Sequence, residues 1–177
     1  MSAPASKATT KLQALSQCDQ ADFVKSLGSI FEHSPWIAER AWQARPFDDI
    51  DALHAAMFDV VERADRQEKL ELIRAHPELA GKEAAAGVLT VESTGEQRQA
   101  GLDRCSADKL ARLRALNAAY RQRFGFPFVI AVKGLGKHAI MDALATRMSH
   151  DAETEFNTCI QEIGKIARFR LDALLKN

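Results

Sequence analysis

Residues 71–82 read ELIRAHPELAGK and set a histidine directly before a proline. Leu72 and Ile73 stand among charged neighbours, as at the end of an amphipathic helix. Pro77 has no backbone N–H and biases His76 away from helical dihedrals. The chain therefore stops a helix and holds an imidazole at the break. A histidine titrates near neutral pH, so it can take and give protons in one cycle. The plainer alternative is a histidine in a last helical turn, favoured there by the helix dipole. A second polar cluster follows at Ser93-Thr94-Gly95-Glu96-Gln97. Its spacing is that of a capping box, with Ser93 as N-cap and Glu96 three residues on, and spacing alone favours that structural role. Arg147 offers a planar donor fork suited to a carboxylate or urea carbonyl, although an arginine on an amphipathic helix is ordinarily solvated.

The chain has 177 residues, room for one domain, and is 46% hydrophobic, enough for a substantial core. Lys plus Arg total 24 and Asp plus Glu total 24, so no general electrostatic grip on nucleic acid or an anionic membrane is expected. Cys18, Cys105 and Cys159 are far apart and form no CxxC pair, which points to idle thiols rather than a zinc site or a disulfide framework. His33, His54, His138 and His150 have no metal-site spacing and read as structural or surface residues. Residues 1–11 carry no apolar run; they read as a flexible tail and not as a signal peptide. No stretch is apolar enough to span a bilayer, no C-terminal peroxisomal address is present, and the cytoplasm is the default location.

Helical spacing recurs along the rest. Ile50, Leu53, Met57, Val60 and Val61 share one helical face; so do Phe156, Ile160, Ile163, Ala167, Leu171 and Leu174. Residues 106–125 open on Ser106 as N-cap and close on Gly125 as C-cap. A helix over about 138–148 turns Ile140, Leu144 and Met148 inward. Two shorter helices lie on either side of the Ser34-Pro35 break, and Arg45-Pro46 ends the second. Residues 76–92 read as a long connection, and FPFVIAV at 126–132 is a short extended apolar run. The architecture expected is a single-domain all-α bundle over residues 12–177, with that run buried and some of its backbone N–H and C=O groups available to a ligand.

Taken in order, EHSPW, HPELAGK, ESTGEQRQAGL, LNAAYRQRFGFPFVIAVKG and LATRM resemble one family: the 2-oxo-4-hydroxy-4-carboxy-5-ureidoimidazoline (OHCU) decarboxylases of purine catabolism. The resemblance covers roughly residue 12 to the C-terminus. It implies an all-helical fold, a homodimer, no metal and no organic cofactor. It implies loss of carbon dioxide from OHCU to give (S)-allantoin. The family's catalytic histidine falls on His76, and substrate contacts fall on Pro77, Ser93, Glu96, Gln97, Arg147 and the backbone of Phe128, Val129, Ile130, Ala131 and Val132. One position departs: His150 stands where the family commonly has asparagine.

Chemistry agrees with those residue types. Decarboxylation needs a sink for the electrons of the breaking bond, and no pyridoxal-type lysine motif is evident. OHCU carries its own sink, a C=N bond beside the carbon that bears hydroxyl and carboxylate. The protein must then move protons, fix the carboxylate rotamer and control which face is protonated. His76 suits the first task. Glu96 can accept from ureido or ring N–H groups, and Gln97 can both donate and accept. Arg147 fits the carbonyl or ureido side better than the departing carboxylate, since stabilising that anion in the ground state slows its loss. Rival readings are a lyase or hydrolase acting on a related ureido compound, and a non-catalytic helical interaction module. A pure scaffold would not need His, Glu and Arg at those three places.

Overall fold

Wherever the sequence carries amphipathic spacing, the chain is helical. The computed structural model describes residues 7–176. Their α-helices are α1 (Lys7–Gln17), α2 (Gln20–Leu27), α3 (Pro35–Ala41), α4 (Ile50–Arg63), α5 (Arg66–Ala75), α6 (Lys82–Ala86), α7 (Val91–Gln99), α8 (Ala107–Phe124), α9 (Lys137–Arg147) and α10 (Ala152–Lys176). Among the described residues there is no strand, so the all-α expectation is met.

Local signals explain most boundaries. Asp49 caps α4 by accepting from the Ala52 N–H, and Ile50, Leu53, Met57 and Val61 are buried along its length, with Val60 half-buried. Ser106 accepts from the Lys109 N–H at the start of α8, and Gly125 closes that helix at φ +80°, where a side chain would be strained. Pro35 opens α3, where its missing N–H costs nothing. In α9, Ile140 and Leu144 are buried as expected, while Met148 is the half-buried C-cap and Met141 faces inward.

The structure corrects several boundaries. α1 takes in residues 7–11, which the sequence assigns to the tail, and residues 1–6 lie outside the described residues. The 76–92 connection contains α6. In α10, Leu175 is buried and Leu174 is 41% exposed. Over 25 residues a 3.6-residue turn drifts from any fixed three-and-four spacing, so the last predicted inward position is off by one. The N-cap of α7 is Thr90, not Ser93: the Thr90 hydroxyl accepts from the Ser93 N–H at 3.2 Å. Ser93 lies inside the helix and is buried.

Two compact units form, divided within α5 and within α10. The first comprises the chain up to Leu72 and from Ile166 onward. Here α3 packs against α2 and α4, and Phe23, Leu27, Ile37, Leu53, Met57 and Leu171 are buried. A buried ion pair joins Arg170 to Glu32 at 2.9 Å, and Lys11 Nζ donates to the Leu174 carbonyl at 3.0 Å. The second unit is Ile73–Lys165. Its core gathers Leu113, Tyr120, Phe126, Phe128, Ile140, Leu144 and Phe156. The Tyr120 ring centroid lies 4.7 Å from Phe124 and 5.3 Å from Phe128. Residues 126–132 pass through this core outside any helix or strand, with Ile130 half-buried and the others buried.

Loss of the Thr90 cap has a local signature. Thr90→Ala is expected to lower stability by about 1 kcal/mol. Hydrogen exchange should show the Ser93 amide exchanging faster in the variant. An unchanged Ser93 amide would return the cap to Ser93.

Candidate functional site

Helix α5 ends on Ala75, and the His76 N–H still bonds to the Ile73 carbonyl at 3.1 Å as the turn closes. Pro77 then breaks the ladder. His76 is 6% exposed, so its imidazole lies in the protein rather than on a solvated helix end.

The backbone beyond the break has few helical partners, and side chains of α7 and α8 supply them. Gln97 Oε1 accepts from the Ala80 N–H at 2.9 Å, and Gln97 Nε2 donates to the Glu78 carbonyl at a long 3.4 Å. Asn117 Nδ2 donates to the Leu79 carbonyl at 2.9 Å, and Arg114 Nε donates to the Ala80 carbonyl at 3.5 Å. The Glu78 side chain is itself held by Arg121 Nε at 2.7 Å. Within this clamp Ala80 has φ +50°, the left-handed region that a residue with a Cβ seldom adopts. Gly81 follows because the turn leaves no room: a Cβ there would lie 2.8 Å from Glu78 Cβ and 3.2 Å from the Glu78 carbonyl oxygen.

The structure therefore ties His76 and Pro77 to α7 through residues 78–80. Ser93 and Gln97 are both buried, one turn apart on one face of α7, and Glu96 beside them is half-buried. The Gln97 amide is engaged with the loop backbone at both ends, so it builds the site as well as flanking it.

Arg147 sits in a second cluster of the same unit. Its Nε and Nη2 donate to Glu155 Oε1 at 2.8 and 2.5 Å, its Nη1 donates to the Val129 carbonyl at 2.7 Å, and its Nη2 also reaches Cys159 Sγ at 3.3 Å. The guanidinium lies 4.3 Å from the Phe128 ring centroid. Glu155, 0% exposed, also accepts from the Tyr120 hydroxyl and pairs through Oε2 with His150 Nδ1 at 2.8 Å. Burial pulls the Arg147 pKa down, but the net shift is upward, because the Glu155 bond and the nearby Cys159, Glu155 and Tyr120 outweigh it. Burial pushes the Tyr120 phenol well up, reinforced by Cys159 and Glu155. It also raises the Cys159 thiol, against the pull of the Tyr120 bond and Arg147. Arg147 thus fixes the 128–132 segment at the Val129 carbonyl, and Glu162 Oε2 accepts from the Ala131 N–H at 2.8 Å farther along.

Sequence reasoning passed over Asn117 and Glu155. Asn117 had a visible signal: it falls in line with Leu113 and Tyr120 on the buried face of α8, where a polar residue is out of place. Glu155 had none, since an acidic residue in a first helical turn is ordinary. Among the described residues no group of three or more His, Cys, Asp or Glu side chains is placed to hold a metal ion.

With this geometry in view, comparison with known proteins is informative. A family model described as OHCU decarboxylase matches residues 16–172. The chain belongs to the OHCU decarboxylase family. It is 44% identical over 160 residues to the 2-oxo-4-hydroxy-4-carboxy-5-ureidoimidazoline decarboxylase of Haloferax volcanii, covering 90% of this chain and 93% of that one. It is 40% identical to the protein of the same name from Mus musculus, over 89% of this chain and 88% of that one. A uric acid degradation bifunctional protein of Bacillus subtilis is 44% identical over 89% of this chain, which spans 31% of that longer protein. Among solved structures, one of (S)-allantoin synthase superposes with a TM-score of 0.75 at 31% identity, over 93% of this chain and 54% of that one. One of OHCU decarboxylase in the presence of (S)-allantoin gives a TM-score of 0.69 at 21% identity, a likeness of fold, over 90% of this chain and 100% of that one.

The Arg147 cluster makes a prediction about stability. Removing one partner of a buried ion pair leaves the other uncompensated, so Arg147→Met should destabilise the decarboxylase by about 3–5 kcal/mol in urea unfolding. Adding Glu155→Leu should recover part of that loss. No recovery would mean that Arg147 stabilises the fold by something other than this carboxylate.

Proposed function

We propose that this chain decarboxylates OHCU to (S)-allantoin in urate breakdown, with His76 as the general acid–base group. The observation that carries the reading is a buried imidazole at a helix break, followed by a backbone loop that neighbouring helices hold by hydrogen bonds. Family membership supports it.

The reaction follows from the substrate. The electron pair of the C–CO2 bond moves into a new C=C bond as carbon dioxide leaves. The adjacent C=N pair moves onto the ring nitrogen, which gains a proton. The resulting enol loses its hydroxyl proton to become the ring carbonyl, and the carbon that bears the ureido group takes up a proton. One proton is consumed overall for each carboxylate lost as carbon dioxide. The face that receives the last proton sets the S configuration. His76 shuttles these protons. Such help is typically worth roughly 10²–10⁴-fold.

The remaining contacts bind and orient. Pro77 shapes the loop beside the imidazole. Ser93, Glu96 and Gln97 meet ureido and ring N–H and C=O groups, and the backbone of Phe128, Val129, Ile130, Ala131 and Val132 offers further amides and carbonyls. Arg147 holds the Val129 carbonyl through Nη1 and commits its Nε and Nη2 donors to Glu155 and Cys159, so it contributes chiefly through the Val129 peptide, with the second Nη1 N–H left for a carbonyl or ureido group of the substrate. The electron sink lies in the substrate, so the reading assigns no organic cofactor and no metal. It takes residues 12–177 as the catalytic domain, and the working form as a cytoplasmic homodimer. No helix among the described residues is long and apolar enough to cross a membrane.

A coupled assay tests the reading. Urate is oxidised in situ to supply OHCU, and circular dichroism follows the optical activity of the allantoin formed. The wild-type protein is expected to give (S)-allantoin well above the spontaneous rate, in the presence or absence of EDTA. His76→Ala should lose about 10²–10⁴-fold of that acceleration. Racemic product at the background rate from the wild type would refute the activity, and full rate in His76→Ala would refute the histidine's role.

A further inference from the structure

Asn117 is 3% exposed, and the two ends of its amide are treated differently. Nδ2 donates to the Leu79 carbonyl at 2.9 Å. Oδ1 is buried with no hydrogen-bond partner among the described residues. Turning the amide over does not cure this, because it would set Oδ1 against the Leu79 carbonyl, acceptor against acceptor. A buried acceptor left unsatisfied destabilises by more than one neutral hydrogen bond typically contributes. A leucine at this position, in line with Leu113 and Tyr120, would bury apolar surface and remove the unsatisfied oxygen, but would leave the Leu79 carbonyl without this donor, so the two penalties roughly offset. Stability alone therefore gives little reason to prefer an asparagine here.

Position does explain it. Leu79 is the third residue after His76, and its peptide leads into Ala80, whose left-handed backbone is strained. Gln97 holds the Glu78 carbonyl and the Ala80 N–H on either side, but leaves the Leu79 carbonyl to Asn117. Without that bond the turn can relax, and the His76-Pro77 pair is anchored to it. We infer that Asn117 is a positioning residue for His76: through the Leu79 carbonyl it holds the His76–Ala80 loop in the one conformation that aims the imidazole at substrate. This rests on the assignment of His76 as the proton-transfer group. A misplacement on the order of 1 Å can cost about 10²-fold in rate.

The test uses Asn117→Leu, which keeps the branched four-atom outline and removes both polar ends, and Asn117→Asp, which keeps shape and replaces the donor with an acceptor. Each is compared with wild type and His76→Ala for urea midpoint, kcat, KM and optical purity of the allantoin. A loss in kcat of about 10- to 100-fold is expected, with KM held within about twofold. The Asn117→Leu midpoint should stay close to that of wild type, because relief of the unpartnered Oδ1 offsets the Leu79 carbonyl left without its donor, and the product should be less optically pure. Full kcat in both folded variants, with His76→Ala inactive, would overturn the positioning role alone. Full rate in His76→Ala would remove the role of His76 and this inference with it. A raised KM at unchanged kcat would put the amide on the substrate instead. Failure of both variants to fold would make Asn117 a structural residue, and that also overturns the inference.

Discussion

A peptide group cut off from a helix must find its hydrogen bonds elsewhere, and this site is built on that requirement. Pro77 ends the α5 ladder at His76, and beyond it the Glu78 carbonyl finds only a turn bond along the chain, from the Gly81 N–H at 3.2 Å. Gln97 and Asn117 bond to the peptides of this loop, with Arg114 at longer range. The imidazole is therefore held by the packing of α7 and α8 as much as by its own helix. Features that look incidental, such as the Thr90 cap, the Gly125 stop and the tight turn at Gly81, keep those two helices and the loop in register.

The apolar run at 126–132 meets the same requirement in a different way. It crosses an aromatic core without a strand beside it, so charged side chains serve its backbone: Arg147 at the Val129 carbonyl and Glu162 at the Ala131 N–H. Arg147 can sit in that core because Glu155 neutralises it, and Glu155 in turn receives Tyr120 and His150. A buried polar network of this kind adds little net stability, but when its members are satisfied it favours a single arrangement. His150 has a place in the network through its Nδ1.

The sequence revealed the repeating features and the residue types better than it revealed partners. The buried stripes of α4 and α10, the Ser106 and Gly125 caps and the apolar run at 126–132 all follow from local chemistry, and all were legible. The start of α7 was not, because two hydroxyl residues three apart, Thr90 and Ser93, both fit the pattern of a cap. What decides between them is burial of the Ser93 and Gln97 face, and that depends on the loop packed against it. Arg147 was legible as a guanidinium worth noticing, but its partner Glu155 lies eight residues away across a turn, and no spacing rule links them. Asn117 was the one omission with a visible trace, a polar residue in an apolar stripe.

The bond from Lys11 to the Leu174 carbonyl has a consequence for how this fold can be joined to other sequence. It joins the first helix to the last turn of the final one, so the two ends of the described chain emerge near each other, in the unit that does not contain His76. A short tether between them would close the polypeptide into a ring, and the left-handed Gly87 turn offers a place to reopen it as a circular permutant. The same arrangement suits fusion: a neighbour attached at either end, as in a relative where this region is 31% of a longer protein, joins the fold without interrupting the stretch that holds the histidine.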